Sequence, residues 1–203
     1  MRKDDRILLE LEDLARGYSH PSIIDIKIGR RTWYAGADAA YVERCQLKDS
    51  STTQSSLGFK ICGMQVYRHS KRGYWRASKR WCKTLPEPLV DQALESFAHN
   101  EKGLKAIDVY GGPDGVVKQL ELLEEWFELQ TEFKFFSSSI LILYEGDATE
   151  SSRTNVTVRL VDFAHTFCDN QGHEEKTLLD ENFLGGLSAL RSRLFKVSER
   201  SLC

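Results

Sequence analysis

The chain has 203 residues, of which 41% are hydrophobic and 29% are charged, a size and composition that suit one domain with a sizeable core. Its formal net charge of −2 gives no overall signal for binding to nucleic acid or to an acidic membrane. Five widely spaced cysteines without a C-x-x-C pair indicate neither a zinc site nor a disulfide framework, and no apolar run is long enough to span a membrane. We therefore expect a monomer of the cytosol or nucleus without a membrane anchor.

The most informative predicted strand follows a turn near the N-terminus. Residues 7–14 predict a buried strand that runs into this turn, and the run P-S-I-I-D-I-K-I-G at 21–29 predicts the next strand. Successive side chains of a strand point to opposite faces, so Asp25 and Lys27 share one face and three isoleucines share the other. The charged pair fits either a surface ion pair of little energetic value or part of a ligand site. The pattern alone does not decide between them.

Residues 38–48 predict a helix with Asp38 as its N-cap, and Arg44 and Lys48 lie four residues apart on one of its faces. The remaining elements follow in chain order: a polar loop at 49–56, a strand at 57–67, a basic turn and a strand at 68–76, helices at 89–98 and 116–130, strands at 140–144 and 156–160, and a closing helix at 183–194, weakened by two glycines at 185–186. This order predicts a mixed α+β fold rather than a regular alternation of strands and helices.

A second polar motif follows the strand at 156–160, where Asp162 and His165 lie three residues apart. Phosphoryl transfer uses carboxylates to hold Mg²⁺ and cations to neutralise the phosphoryl oxygens. Alone, this motif also fits an aspartate that caps a turn. Together with Asp25 and Lys27, it supplies two carboxylates, a lysine and a histidine at strand ends.

Four motifs in the same order resemble the inositol polyphosphate kinase family. They are P-x-x-x-D-x-K-x-G at 21–29, S-S-S-I-L-I-L-Y-E-G at 137–146, D-F-A-H at 162–165 and the start of the closing helix at 182–187. Within the family, the runs at 31–34, 56–59 and 109–112 are most similar to plant-type inositol polyphosphate multikinases. The resemblance implies a kinase that uses ATP and Mg²⁺ to phosphorylate inositol tris- and tetrakisphosphates, which would be its partners.

The resemblance implies a nucleotide site with four ligands. A hinge at 8–14 would contact adenine through the backbone of Glu12 and Leu14, and Asp25 would hold the ribose hydroxyls. Asp162 would bind Mg²⁺ and act as a catalytic residue.

The resemblance also implies a substrate site. Lys27 would be the second catalytic residue, in contact with the substrate and with the transferring phosphoryl group. The segment 35–56 would form the inositol-binding helix and loop, with Arg44 and Lys48 as phosphate ligands and His165 as a further ligand. On the pattern alone, the two cations of the helix also fit a solvated helix face.

The N-terminal end departs from the family pattern. The family resembles protein kinases and SAICAR synthase, in which a lobe of strands precedes the hinge and supplies a lysine for ATP. Here a short polar leader precedes residue 8, and Lys3 is too close to the hinge for that role. We therefore expect one kinase domain over 1–203 that consists of the C-terminal lobe, with the N-terminal lobe largely absent.

This departure leaves three readings of the function. The chain is an inositol polyphosphate multikinase, with its activity either intact or impaired by the missing lobe, or it is a non-catalytic inositol-phosphate-binding remnant or truncated gene model. A third reading is another activity of the family, inositol trisphosphate 3-kinase or inositol hexakisphosphate kinase. The short insert at 35–56 disfavours the 3-kinase.

Overall fold

Residues 10–168 and 179–201 are described by the computed structural model, and they combine strands and helices as the predicted α+β fold requires. The strands are β1 (Pro21–Ile28), β2 (Phe59–Arg68), β3 (Gly73–Arg76), β4 (Phe133–Phe135), β5 (Ser139–Glu145), β6 (Thr157–Val161) and β7 (Thr166–Cys168). The helices are α1 (Ala39–Ser50), α2 (Thr53–Leu57), α3 (Lys79–Thr84), α4 (Val90–Ala98), α5 (Ala106–Tyr110), α6 (Val116–Leu129) and α7 (Glu181–Arg200).

The main sheet has five antiparallel strands in the order β3-β2-β1-β5-β6, so β1 is its central strand. Ile24, Ile26 and Ile28 are fully buried, while Asp25 and Lys27 alternate with them on the other face, which confirms the predicted division. Burial of each isoleucine stabilises the fold by about 1.5–3 kcal/mol. A slip of one residue would expose all three isoleucines, so their burial determines the register that holds the two charged side chains.

The apolar core lies between the inner face of this sheet and helices α4 to α7. Helix α7 passes unusually close to the sheet at Gly186, where a Cβ atom would lie 2.6 Å from the backbone nitrogen of Gly29 and would also strike the carbonyl oxygen of Gly58. The two glycines predicted to weaken the closing helix leave α7 unbroken from Glu181 to Arg200. The second of them lets the helix pack directly against the sheet backbone.

A separate two-stranded antiparallel ribbon pairs β4 with β7. Neither strand is predicted from the sequence, because each is only three residues long. Beyond the ribbon, the backbone N–H of Phe136 donates to the carbonyl of His165 at 3.0 Å. The ribbon therefore holds His165 beside the segment that leads into β5.

Two local predictions are wrong. Residues 10–14 form no strand, since they pair with none of the described strands, and Leu11 is 76% exposed. Residues 7–9, like Lys3, lie outside the described part of the chain. The predicted loop at 49–56 contains most of α2. The Thr52 side chain accepts a hydrogen bond from the Gln54 backbone at the start of α2, and Gly58 ends it with a φ of 81°.

The predicted absence of the N-terminal lobe is not confirmed, because residues 1–9 lie outside the described part of the chain. Among the helices of residues 10–168 and 179–201, none has the length and apolar character that a membrane crossing requires.

Candidate active site

One row of directly opposed residues crosses four strands of the main sheet. Lys60 on β2 faces Lys27 on β1, Lys27 faces Ser139 on β5, and Ser139 faces Val161 on β6. Opposed residues of antiparallel strands lie on the same face, and Asp162 directly follows the last residue of the row. The register therefore brings two distant sequence motifs to the same end of the same sheet.

Asp25 lies on the same face, two residues before Lys27 and opposite a β-bulge. Asp25 pairs with Gly63 while the next residue of β1 pairs with Ile61, so Cys62 is the extra residue of β2. Such bulges redirect strands next to functional sites. Burial raises the pKa of Asp25, and the charge of Asp162 adds to this effect, while the Ser139 hydroxyl and the Lys27 ammonium oppose it.

The buried Oδ1 atom of Asp25 accepts no hydrogen bond from the residues that the structure describes. A buried acceptor without a partner is costly, and its usual explanation is a ligand or an ion at that point. The register places Asp162 one residue beyond the row that contains Lys27, and its charge helps to raise the pKa of Asp25. We call these two carboxylates, those of Asp25 and Asp162, the negative pole of the site.

Three consecutive serines lie beside these charged groups, and two of them make hydrogen bonds there. The Lys27 ammonium donates to the backbone carbonyl of Ser137, the Ser138 hydroxyl donates to the backbone carbonyl of Asp162 at 2.8 Å, and the Ser139 hydroxyl lies beside Asp25. The resemblance assigns no role to individual serines, and their separate contacts follow only from the folded geometry.

Three lysines, Lys27, Lys48 and Lys60, form the positive pole of the site. Burial lowers the pKa of Lys60, and the charges of Lys27 and Lys48 lower it further, against the opposing effects of Cys62 and Asp49. Lys60 forms no ion pair with the residues of 10–168 and 179–201. Three neighbouring ammonium groups without a dedicated carboxylate suit phosphate oxygens.

Lys60 is not among the predicted ligands. The alternation of the strand predicted at 57–67 indicates which of its residues share a face, but only the pairing of β2 with β1 places Lys60 beside Lys27. The missing information was the strand register, which depends on long-range contacts.

Helix α1 begins as predicted, because the Asp38 carboxylate accepts hydrogen bonds from the backbone N–H groups of Ala40 and Tyr41, each at 3.1 Å. Its last turn is fixed by buried Asp49, which accepts from the backbone N–H and the hydroxyl of Thr32 at 2.9 and 3.0 Å. This anchor brings Lys48 to the positive pole.

Arg44 lies one turn before Lys48 on α1 and is exposed. Its side chain forms neither a hydrogen bond nor an ion pair with the described residues, so its guanidinium is available to a ligand that reaches this helix face. Of the two predicted cations of the helix, the structure therefore brings only Lys48 into the cluster.

His165 lies where α1 meets the serine segment. Its ring centroid is 5.6 Å from that of Tyr34 and 5.9 Å from that of Tyr41. Burial, together with the Cys45 thiol, raises the pKa of Tyr41 to about 12, so its phenol is neutral at physiological pH. Neither tyrosine is predicted from the sequence as part of the site, although both belong to segments that flank or form the predicted helix.

The predicted hinge lies at the other end of β1. Glu12 is exposed and Leu14 is half-buried, and the backbone groups of both are free of hydrogen bonds to the rest of the described chain. The segment is attached to the start of β6 through the Tyr18 hydroxyl, which donates to the Asn155 carbonyl at 2.7 Å. The first residue of β1 precedes Asp25 by four positions, about 13 Å at 3.3 Å per residue.

Comparisons with known proteins show which proteins the chain is similar to. Inositol polyphosphate multikinase beta of Arabidopsis thaliana is 37% identical over 194 residues, which cover 88% of this chain and 63% of that protein. A solved structure of an inositol phosphate multikinase is 36% identical, with a TM-score of 0.83 over 93% of this chain and 85% of that one. The fold also matches the multikinase Ipk2 of S. cerevisiae in complex with ADP and Mn²⁺, at 24% identity and a TM-score of 0.73 over 91% of this chain and 81% of that one.

The chain thus spans slightly less than two thirds of the length of the plant relative. The absence of the N-terminal lobe stays a prediction, which none of these matches confirms. The model of the family described as inositol polyphosphate kinase matches residues 8–195, which include the predicted hinge, both charged poles and most of α7. The chain belongs to the inositol polyphosphate kinase family.

Proposed function

We propose that the chain is an ATP-dependent inositol polyphosphate kinase of the multikinase type, with inositol tris- and tetrakisphosphate as substrates. The observation that carries this proposal is the row across the sheet, which has a pair of lysines at one end and the Asp162 carboxylate directly after its other end. The positive pole suits a phosphorylated substrate, and the negative pole suits a metal-bound nucleotide.

The nucleotide binds along β1 in this proposal. The backbone groups of Glu12 and Leu14 contact adenine, and the Asp25 carboxylate, whose Oδ1 atom lacks a partner in the described chain, accepts from a ribose hydroxyl. Asp25 lies about 13 Å along β1 from Pro21, the residue at which the chain enters the strand from the hinge side.

The residues of the negative pole fit Mg²⁺, which prefers oxygen ligands and keeps several waters and phosphate oxygens of its own. The Asp162 carboxylate is exposed on the site face and would hold the ion. Among the described residues no group of three or more metal-binding side chains is found. When bound, Mg²⁺ neutralises charge on the phosphate oxygens.

The inositol phosphate occupies the positive pole. Lys48 and Lys60 bind its phosphates, Arg44 and His165 lie at the edge of the site as further ligands, and Lys27 contacts the transferring phosphoryl group. An inositol hydroxyl oxygen forms a bond to the γ-phosphorus as the bond to the β,γ-bridging oxygen breaks, with ADP and the hydroxyl proton released. Lys27 is well placed to neutralise the moving charge, because Ser137 holds its ammonium group at the centre of the row.

Calorimetry distinguishes the kinase from a non-catalytic remnant. We expect the purified chain to bind both Mg-ADP and inositol trisphosphate, with Asp25→Asn weakening only the nucleotide and Lys48→Gln weakening only the inositol phosphate. Binding of inositol trisphosphate without any binding of Mg-ADP would favour the remnant. Turnover with inositol hexakisphosphate rather than the trisphosphate would instead identify another activity of the family.

A further inference from the structure

We propose that Ser138 is a positioning residue that holds the metal-binding carboxylate of Asp162 in its working orientation. This inference rests on the proposed function and adds a residue that touches neither nucleotide nor substrate. Ser138 is fully buried, and its hydroxyl donates to the backbone carbonyl of Asp162 at 2.8 Å.

Asp162 needs such support because its backbone is strained. Its φ of 68° lies in the left-handed region, which costs a residue with a side chain roughly 1–2 kcal/mol and somewhat less for aspartate. The strain arises where β6 ends at Val161 and the chain must turn toward β7. If the carbonyl of Asp162 were released, the backbone would relax toward the extended region and carry the carboxylate away from Asp25.

Ser138 is itself held from the other side. Its backbone carbonyl accepts a hydrogen bond from Ile28 at 3.1 Å, immediately after Lys27. The preceding carbonyl, that of Ser137, accepts from the Lys27 ammonium. The two serines therefore couple the end of β1 to the end of β6, and with it the phosphoryl-contacting lysine to the metal-binding aspartate.

Ser138 should affect metal affinity through its hydrogen bond to Asp162, without contacting the metal. Loss of such a partner weakens metal affinity by about 10- to 100-fold. Ser138→Ala should therefore weaken Mn²⁺ binding in the presence of ADP by about tenfold or more and raise the Mg²⁺ concentration for half-maximal activity to match. Its affinity for inositol trisphosphate should stay that of the wild type, because Lys48 and Lys60 remain in place.

Ser22 supplies the matched control. It is also fully buried, and its hydroxyl accepts a hydrogen bond from the backbone N–H of Tyr67 at 3.1 Å, at the opposite end of β1. Ser22→Ala removes a comparable buried hydrogen bond, so it should lower the thermal midpoint while leaving metal affinity unchanged. Ser138→Thr keeps the hydroxyl and should bind Mn²⁺ within about threefold of the wild type.

The decisive measurement is Mn²⁺ binding followed by electron paramagnetic resonance with ADP present. A loss in Ser138→Ala that is absent from Ser22→Ala and Ser138→Thr supports the inference. Equal affinity in Ser138→Ala and the wild type, or an equal loss in Ser22→Ala, overturns it while the kinase proposal stands. A wild-type chain that binds no Mn²⁺ with ADP overturns both. If Ser138→Ala does not fold, Ser138→Cys replaces it, since a thiol is a weaker donor, and a smaller loss in the same direction is expected.

Discussion

Lys27 and Lys60 lie directly opposite each other on β1 and β2, with both side chains half-buried on the same face of the sheet. Like charges in directly opposed positions destabilise a sheet, and burial increases the penalty. The pair is therefore unfavourable for folding alone. A bound polyanion would reverse the penalty, which is why these two lysines are central to the account.

The first prediction concerns Lys60→Met. It should weaken inositol trisphosphate binding by about tenfold, because one hydrogen bond to a charged group is lost. The free energy of unfolding should stay the same or rise. Calorimetry and urea unfolding measure the two effects. Lys83→Met, which removes an exposed lysine on α3, should change neither, and a Lys60→Met protein that is both less stable and fully able to bind would contradict the role.

The second prediction is a pH dependence. Burial raises the pKa of Asp25, so the folded protein holds this proton more tightly than the unfolded chain does. The stability contributed by this group is present below its unfolded pKa of 3.8 and is lost as the pH rises through its higher folded pKa. Asp25→Asn should therefore raise the thermal midpoint at pH 7, and the difference from the wild type should shrink as the pH falls toward 4.

The same substitution should weaken Mg-ADP binding by about tenfold, because it replaces the charged acceptor of the ribose hydroxyls. Greater stability with weaker binding is typical of residues that are retained for function. A lower thermal midpoint at pH 7 would show that the carboxylate stabilises the fold, in conflict with the direction of its pKa.

The third prediction compares two adjacent glycines of α7. A Cβ atom at Gly186 would meet the backbone of Gly29 and Gly58, so Gly186→Ala should destabilise the protein by about 1–3 kcal/mol. Gly185 has no other atoms within 4 Å of its added Cβ, and Gly185→Ala should stabilise the helix by about 0.5–1 kcal/mol. Urea unfolding measures both, and equal effects would show that α7 does not pack on the sheet at this point.

Short-range sequence patterns predict the features of this fold that depend on residues close together in the chain. The alternation around Asp25 and Lys27, the cap at Asp38 and the apolar spacing of α6 are each confirmed within a few residues. The motifs also assign roles to charged residues, and these roles stay predictions. They do not predict the row across the sheet, because the pairing of Lys60 with Lys27 depends on strands that are far apart in the chain.

The remaining errors have similar causes. Leucines alternate with acidic residues at 9–12 as in a strand, yet residues 10–14 pair with none of the described strands. The ribbon of β4 and β7 is too short to produce a periodic signal. The positive φ of Asp162 and its hydrogen bond to Ser138 belong to the folded geometry and leave no pattern in the sequence.

The most direct test is a phosphotransfer assay of the purified chain with inositol trisphosphate, ATP and Mg²⁺. The account predicts Mg²⁺-dependent transfer of the γ-phosphoryl group to the inositol phosphate, reduced at least about a hundredfold in Asp162→Asn without loss of inositol trisphosphate binding. Absence of transfer by the wild-type chain, or full activity of Asp162→Asn, would contradict it.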